Sequence, residues 1–213
     1  NRVFNILDTN EFVKDLYSNK SKSIIGKIVF EKATFSYVKN NNVLKNVSIK
    51  IEPGEKVAIV GPTGSGKSTI IKLILRFYDL NNGKITIDGT DIKKFSLKNL
   101  RSQVSLVSQD IFLFADSIYN NISLFNKSIS KIEVENAAKE IGIFDFIKKL
   151  PGGFDYNVKE RGVMLSEGQR QLISFLRAYV SNPKILILDE ATSSIDSKTE
   201  QLIQYATNKI IAD

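Results

Sequence analysis

Hydrophobic and polar residues alternate along the first well-patterned segments of the chain. In KIVFEKATFSYV, Ile28 and Phe30 fall on one face. The register continues after an interruption at Lys32–Ala33, with Phe35 and Tyr37 together. The segment VLKNVSIKI alternates in the same way and ends at a Pro-Gly turn pair. These patterns predict β-strands with one buried face in the N-terminal part of the chain.

Three later segments are almost continuously apolar instead. KVAIVG, VSLVSQD and KILILDEA have the pattern of strands buried in a parallel sheet, which is covered on both faces. Between them lie helical patterns in STIIKLILRFY, in KIEVENAAKEIGIFDFIKKL, and from MLSEGQRQ to about Ser181; NNGKITIDG carries a hairpin signal. Strands that alternate with helices in this way predict an α/β fold.

Composition removes several classes of protein. The chain has 213 residues, 42% of them hydrophobic and 25% charged, which is typical of a globular domain. It contains no cysteine and no histidine, so disulfides, cysteine metal sites and histidine catalysis are excluded for this chain. The net charge of +7 comes mostly from scattered lysines without interleaved aromatic residues, and we therefore expect no nucleic-acid partner.

The first chemical motif is GPTGSGKS, which begins at Gly61 and matches G-x-x-x-x-G-K-[ST] between a predicted buried strand and a helix. Such a loop wraps backbone N–H groups around phosphates at a helix N-terminus. Lys67 would balance the charge of the β- and γ-phosphates, and the Ser68 hydroxyl could bind Mg²⁺. The predicted phosphate-binding residues are Gly61, Pro62, Thr63, Gly64, Ser65, Gly66, Lys67, Ser68 and Thr69.

The second motif is ILILD followed by Glu190. Its Ile/Leu run predicts a buried strand whose C-terminal end presents Asp189, and nucleotide sites of open α/β sheets lie at that edge. Asp189 would hold Mg²⁺ and Glu190 could polarise an attacking water. The motif is weak alone, because many strands end in acidic residues, and gains its meaning from the phosphate loop.

A second candidate anion site occurs in MLSEGQRQ. Ser166 is a predicted N-cap, Gln169 completes a capping box, and Gly168 allows close approach to the backbone. One domain would thus have two phosphate cradles.

Taken in order, these motifs resemble the nucleotide-binding domain of an ATP-binding cassette (ABC) transporter, of the multidrug or lipid exporter type. The segment LSEGQ is similar to that family's signature, usually LSGGQ, and comprises Leu165, Ser166, Glu167, Gly168 and Gln169. In the family two such domains pair head to tail, and each signature helix caps the ATP held by the other domain. The resemblance therefore implies that the two cradles serve two different ATP molecules across a homo- or heterodimer.

The resemblance also implies further roles. Tyr37 lies where the family stacks an aromatic ring on adenine, and Gln109 matches the Q-loop glutamine that contacts Mg²⁺ or water. KERG, at residues 159–162, is similar to part of the exporter X-loop. The implied D-loop is Ser193, Ser194, Ile195 and Asp196; the implied catalytic residues are Glu190, Lys67 and Gln109; the implied metal ligands are Ser68, Gln109 and Asp189.

In the implied architecture, a P-loop NTPase (RecA-like) α/β core with a parallel sheet carries an N-terminal antiparallel β subdomain and an inserted α-helical subdomain, at about residues 111–170. Residues 1–23 are expected to be a linker from a membrane domain, since RVFNILD resembles the exporter linker, and residues 24–213 to be the ABC ATPase domain.

The implied function is ATP binding and hydrolysis that powers transport, with ATP and Mg²⁺ bound. The implied partners are a second ABC ATPase domain and a transmembrane domain N-terminal in the same polypeptide. The implied location is the cytoplasmic side of the cell membrane, with the domain itself soluble.

Two departures from the family pattern are present. Glu167 replaces the usual glycine, and an added carboxylate near a γ-phosphate is tolerable if it points to solvent. The family's switch histidine lies farther beyond the Walker B aspartate than this sequence extends, so we expect a domain truncated at its C-terminus and uncertain ATPase activity for the isolated chain.

Two other classes of protein share parts of this pattern. DNA-maintenance ATPases of the SMC kind use a related head but insert a long coiled coil between P-loop and signature, whereas the interval from Ser68 to Leu165 lacks sustained heptads. A regulatory domain that binds ATP without turnover is disfavoured by Glu190 and remains open because of the missing C-terminal segment.

Overall fold

The computed structural model describes residues 13–15, 22–189 and 197–212, with side chains of the last helix described for 199–210. The chain divides into two compact units, Asn1–Gln103 and Val104–Asp213. We describe each unit by itself.

The first unit contains a four-stranded antiparallel sheet in the order β2-β1-β3-β4. The strands are β1 (Ile28–Phe35), β2 (Leu44–Ile51), β3 (Asn82–Ile87) and β4 (Thr90–Asp91). The apolar positions of β1 are buried as the alternation predicts, and its register against β2 shifts between Phe30 and Ala33. Lys32 has a positive φ of 46° at this bulge, which is where the sequence pattern was interrupted. The predicted antiparallel sheet and the hairpin between β3 and β4 are therefore present.

The described part of this unit also contains the helices α1 (Lys67–Ile74) and α2 (Leu97–Ser102) and a 3₁₀ turn at Ile92–Lys94. The N-cap of α2 is Ser96, whose hydroxyl accepts a hydrogen bond from the backbone of Asn99. Buried Leu73, Phe95 and Leu100 place both helices on the apolar core.

One predicted strand is wrong. The segment KVAIVG, expected as a parallel strand buried on both faces, belongs to neither sheet, and the exposed fractions of Val57 and Val60 are 46% and 88%. An apolar run becomes a strand only when neighbouring strands accept its hydrogen bonds. In the described part of the chain, the antiparallel sheet ends at β2 and β4, and neither edge takes up this segment.

The second unit has a parallel pair, β5 (Val104–Val107) and β6 (Ile185–Leu188), with Val107 opposite Leu188. Its helices are α3 (Ile118–Ser123), α4 (Lys131–Glu140), α5 (Phe144–Lys148), α6 (Glu167–Val180) and α7 (Ser197–Ala212). The long helix α6 packs against α3, α4, α7 and β5, and its Leu172, Phe175 and Leu176 lie at the centre of the core. Helices α3 to α5 fall within the helical region predicted at about 111–170.

No helix in the described ranges is both long and apolar enough to cross a bilayer.

Candidate functional site

The phosphate loop leads directly into α1. Gly66 is the N-cap of this helix and has a φ of 95°, while Gly64 has a φ of 82°. A Cβ on Gly66 would lie 2.8 Å from Cδ2 of Leu44, so both conformation and space require glycine there. Without a capping side chain, the first N–H groups of α1 remain available to an anion.

Lys67 folds back over this loop. Its Nζ donates hydrogen bonds to the carbonyl oxygens of Gly61, at 2.8 Å, and Pro62, at 3.1 Å. These carbonyls hold the ammonium group above the loop, where a phosphate oxygen would offer a stronger, charged acceptor. The loop therefore holds the ammonium group of Lys67 against its own backbone.

Tyr37 lies just after β1 in a small aromatic cluster beside α1. Its ring centroid is 4.9 Å from that of Phe35 and 5.1 Å from that of Tyr78, both edge-to-face. Its hydroxyl shares a 3.2 Å hydrogen bond with Thr69 Oγ1, and Lys72 Nζ lies 5.6 Å from its ring centroid. Because Tyr37 is 45% exposed, the ring is fixed by its neighbours and still open to a flat ligand.

The Tyr37 ring gives a first testable prediction. Tyr37→Ala should weaken ATP binding by about 1–3 kcal/mol, the value of one base–aromatic stack. Tyr37→Phe keeps the ring and loses only the bond to Thr69, so its affinity should stay near that of the parent. Titration with a fluorescent ATP analogue measures both, and equal losses in the two variants would refute a stacking role.

In the second unit, two predicted metal ligands lie at one edge of the parallel pair. The Asp189 backbone N–H donates to the Val107 carbonyl at 2.9 Å, which extends the pairing of β5 and β6 by one residue. Gln109 follows the end of β5 by two residues and is exposed. Gln109 and Asp189 therefore leave the carboxyl edge of adjacent strands, as predicted. Ser68, the third predicted ligand, is exposed in the first turn of α1 in the other unit.

The signature segment forms the predicted capping box. Ser166 Oγ accepts from the Gln169 backbone N–H at 3.3 Å, and Gln169 Oε1 accepts from the Ser166 N–H at 3.0 Å. Leu165 is buried and its carbonyl accepts a hydrogen bond from Arg170. Glu167 is exposed at the start of α6, where the positive end of the helix dipole favours a carboxylate.

Sequence reasoning missed a pair of residues that hold the loop after Gln109. Asn121 is fully buried; its side chain accepts from the Phe114 N–H and donates to the carbonyls of Phe114 and Ser117. Arg177 Nε donates to the Asn121 carbonyl at 2.8 Å, and burial lowers the pKa of its guanidinium. The signal was an arginine inside the apolar stretch LISFLRA of α6.

Several predicted positions lie outside the described residues. They are the catalytic candidate Glu190 and the D-loop residues Ser193, Ser194, Ile195 and Asp196.

Comparisons with known proteins show what the chain is similar to. A family model described as ABC transporter matches residues 44–193. The chain is similar to an ATP-dependent lipid A-core flippase of Pectobacterium atrosepticum, at 44% identity over 213 residues, which covers 99% of this chain and 36% of the relative. It is also similar to YknV of Bacillus subtilis, an uncharacterised ABC transporter ATP-binding protein, at 46% identity over 211 residues, covering 99% and 35%.

A solved structure gives the same result. The bacterial Atm1-family ABC exporter with ATP bound matches with a TM-score of 0.88 at 39% identity, covering 99% of this chain and 37% of that one. The chain therefore spans little more than a third of the length of these relatives.

Proposed function

The chain belongs to the ABC transporter family, and from that membership we propose that it binds and hydrolyses ATP to power export of a substrate across a membrane. The observation that carries the proposal is the glycine-capped start of α1, with Lys67 already held over the loop and Tyr37 bonded to Thr69 of the same helix. These groups match the two ends of ATP, its phosphates and its base.

In this proposal the first unit holds the nucleotide. Adenine stacks on the open Tyr37 ring, and the β- and γ-phosphates lie against the N–H groups of residues 61–69. Lys67 exchanges its carbonyl acceptors for phosphate oxygens. The hydrogen bond between Tyr37 and Thr69 links the aromatic cluster to the end of the loop, so base and phosphates would contact neighbouring parts of the first unit.

A Mg²⁺ ion fits the predicted donor set. Among the described residues, no cluster of three or more acidic, histidine or cysteine side chains could hold an ion alone. In the first unit, the exposed Ser68 hydroxyl is a hard oxygen donor of the kind that Mg²⁺ prefers together with phosphate and water; in the second unit, Gln109 and Asp189 offer an amide oxygen and a carboxylate of the same kind. When bound, the ion would neutralise charge on the β- and γ-phosphates.

The general base in ATP hydrolysis is assigned to Glu190, the residue after Asp189. Glu190 would accept a proton from the attacking water as the water oxygen bonds to the γ-phosphorus and the bond from that phosphorus to the ADP oxygen breaks. Gln109 would orient that water. The chain has no histidine to share this role.

The second cradle implies a second ATPase domain. The capping box fixes the start of α6, where Ser166 is exposed and Gly168, expected to allow close approach, is buried, so a partner's γ-phosphate could be capped at the Ser166 end of the helix. The D-loop residues 193–196 would reach across the same head-to-tail dimer. Closure on ATP and opening after hydrolysis would then be a two-state change biased by contacts present only in the closed state.

The part of each relative that this chain does not cover suggests which domain the ATPase dimer would act on. The relatives described as flippase or exporter are longer than this chain, so we place a transmembrane domain N-terminal to residues 1–23 and the ATPase on the cytoplasmic side of the membrane. The helical region at about 111–170 would contact that domain. Drugs, lipids and peptides are candidate substrate classes, and the name of the flippase relative favours a lipid.

Ser166→Ala tests the shared site, and the chain supplies a matched control. Ser130 caps α4 with the same type of capping box, so Ser166→Ala and Ser130→Ala should each lose about 1 kcal/mol of stability. Mg·ATP turnover per chain should rise with protein concentration, and only Ser166→Ala should lower it, with ATP affinity of the monomer unchanged. Turnover independent of concentration, or equal in both variants, would argue against a composite site; ATP retention without turnover would favour a regulatory binding domain.

A further inference from the structure

Arg76 occupies an unusual position at the end of the P-loop helix. Helix α1 ends in a Schellman motif, in which the Phe77 N–H donates to the Lys72 carbonyl and the Arg76 N–H to the Leu73 carbonyl. The residue after the C-cap is normally glycine, because φ is positive there, and Arg76 has a φ of 51°. Holding a non-glycine residue in this conformation is unfavourable, and contacts of the arginine side chain offset that strain.

Those contacts join three segments of the first unit. Arg76 is only 2% exposed. Its Nε donates to Asp79 Oδ1 at 3.1 Å and its Nη1 to the Phe95 carbonyl at 3.3 Å. Its Nη2 donates to the carbonyl of Lys14 at 3.0 Å, in the segment predicted as a linker. The guanidinium therefore fixes the N-terminal segment to the end of α1.

A second anchor lies one residue further along. The Asp15 carboxylate accepts a hydrogen bond from the Leu97 N–H at 3.1 Å, at the start of α2, where a negative charge is stabilised by the helix dipole. We call residues 13–15 the strap. Two neighbouring residues of the strap, Lys14 and Asp15, are thus held by the ends of two different helices.

The two helices are themselves joined by a residue in the last turn of α2. Arg101 of α2 donates from Nε to the Leu75 carbonyl and from Nη2 to the Arg76 carbonyl, at 3.1 and 3.0 Å. Its guanidinium also lies 4.9 Å from the ring centroid of Phe77. The C-terminal end of α1, the start of α2 and the strap therefore form one bonded assembly.

We propose that Arg76 is a positioning residue that couples ATP at the N-terminus of α1 to the strap at its C-terminus. The inference rests on the proposed function, because the strap lies on the side of the chain where the membrane domain would be attached. Eight residues of α-helix separate the two ends by about 12 Å, and such a short helix shifts as a rod. When ATP orders the N-terminus of α1, the helix keeps Arg76 in the position where it donates to the Lys14 carbonyl. The strap is therefore less mobile when nucleotide is bound.

The absence of cysteine from the sequence makes a direct test possible. A nitroxide label on Lys14→Cys reports the mobility of the strap and leaves its bond to Arg76 intact, because the acceptor is the Lys14 backbone carbonyl. A label on Lys84→Cys, on exposed β3 of the same unit, is the control. Electron paramagnetic resonance is recorded with and without Mg·ATP, and ATP affinity is measured separately by titration.

The expected results are specific. In the Arg76→Gln background, the mobile fraction of the Lys14 label should rise by about tenfold, the effect of losing one charge-assisted hydrogen bond. Mg·ATP should lower the mobile fraction in the parent and not in Arg76→Gln, although both bind ATP equally. The Lys84 label should respond to neither change. Asp15→Ala, which alters a partly exposed side chain, should loosen the strap in the same direction and serves if Arg76→Gln does not fold.

The labelling experiment distinguishes three negative results. ATP binding without any change at Lys14 would overturn the coupling and leave the proposed ATPase function intact. An equally immobile Lys14 label in the parent, Arg76→Gln and Asp15→Ala would show that neither anchor holds the strap. A parent chain that does not bind ATP would overturn the proposed function and this inference with it.

Discussion

Replacing Lys67 with alanine is expected to lower Mg·ATP turnover by about 10²–10³-fold, the usual effect of removing one preorganised group that stabilises transition-state charge. The hydrogen bonds of Lys67 to the carbonyls of Gly61 and Pro62 hold its ammonium group at the loop, where the phosphates would bind. ATP affinity should fall as well, because the ammonium contacts the ground-state phosphates. Steady-state turnover and nucleotide titration measure the two effects.

Lys56→Ala is the matched control for Lys67→Ala. Lys56→Ala removes one positive charge, as Lys67→Ala does, from an exposed position shortly before the loop. The Mg·ATP turnover of this variant should equal that of the parent. A similar loss in both variants would mean that overall positive charge, and not the position of Lys67, supports binding.

Glu190→Gln should lower turnover by about 10²–10⁴-fold, the range for a general base, while ATP binding is retained. The substitution keeps the size of the side chain and removes only its ability to accept a proton. Single-turnover hydrolysis separates this effect from nucleotide release. Because the chain has no histidine, turnover that depends on Glu190 would also show that this chain hydrolyses ATP without one.

Glu200→Gln, at an exposed position in α7, controls for the lost negative charge. If Glu190→Gln turns over ATP at the parent rate, the catalytic assignment of Glu190 is wrong. If neither the parent nor the variant hydrolyses ATP and both still bind it, a regulatory binding role replaces the ATPase role.

The elements that could be predicted from sequence are those set by local chemistry. The interruption at Lys32–Ala33 marks the bulge in β1, and the turn after Ile87 gives the hairpin of β3 and β4. Ser166 and Gln169 form the predicted capping box. In each case the deciding interactions lie within a few residues along the chain, so the pattern alone contains them.

The features that could not be predicted depend on partners distant in sequence. The apolar pattern of residues 56–60 predicts a strand, although strand formation depends on a neighbour that the pattern does not specify. The predicted helical segment STIIKLILRFY includes Arg76, although α1 ends at Ile74, and only the acceptor at Lys14, 62 positions away, shows the role of Arg76. Arg177 likewise gains its role from the carbonyl of Asn121, 56 positions away.

The open segment before the phosphate loop also affects how the protein behaves in solution. Val57, Ile59 and Val60 are exposed, on a backbone that no strand of the described residues covers. Short β-branched segments of this kind template edge-to-edge aggregation between chains. We therefore expect concentrated samples to self-associate through this segment without ATP, in addition to the proposed ATP-dependent pairing, and light scattering with and without nucleotide separates the two.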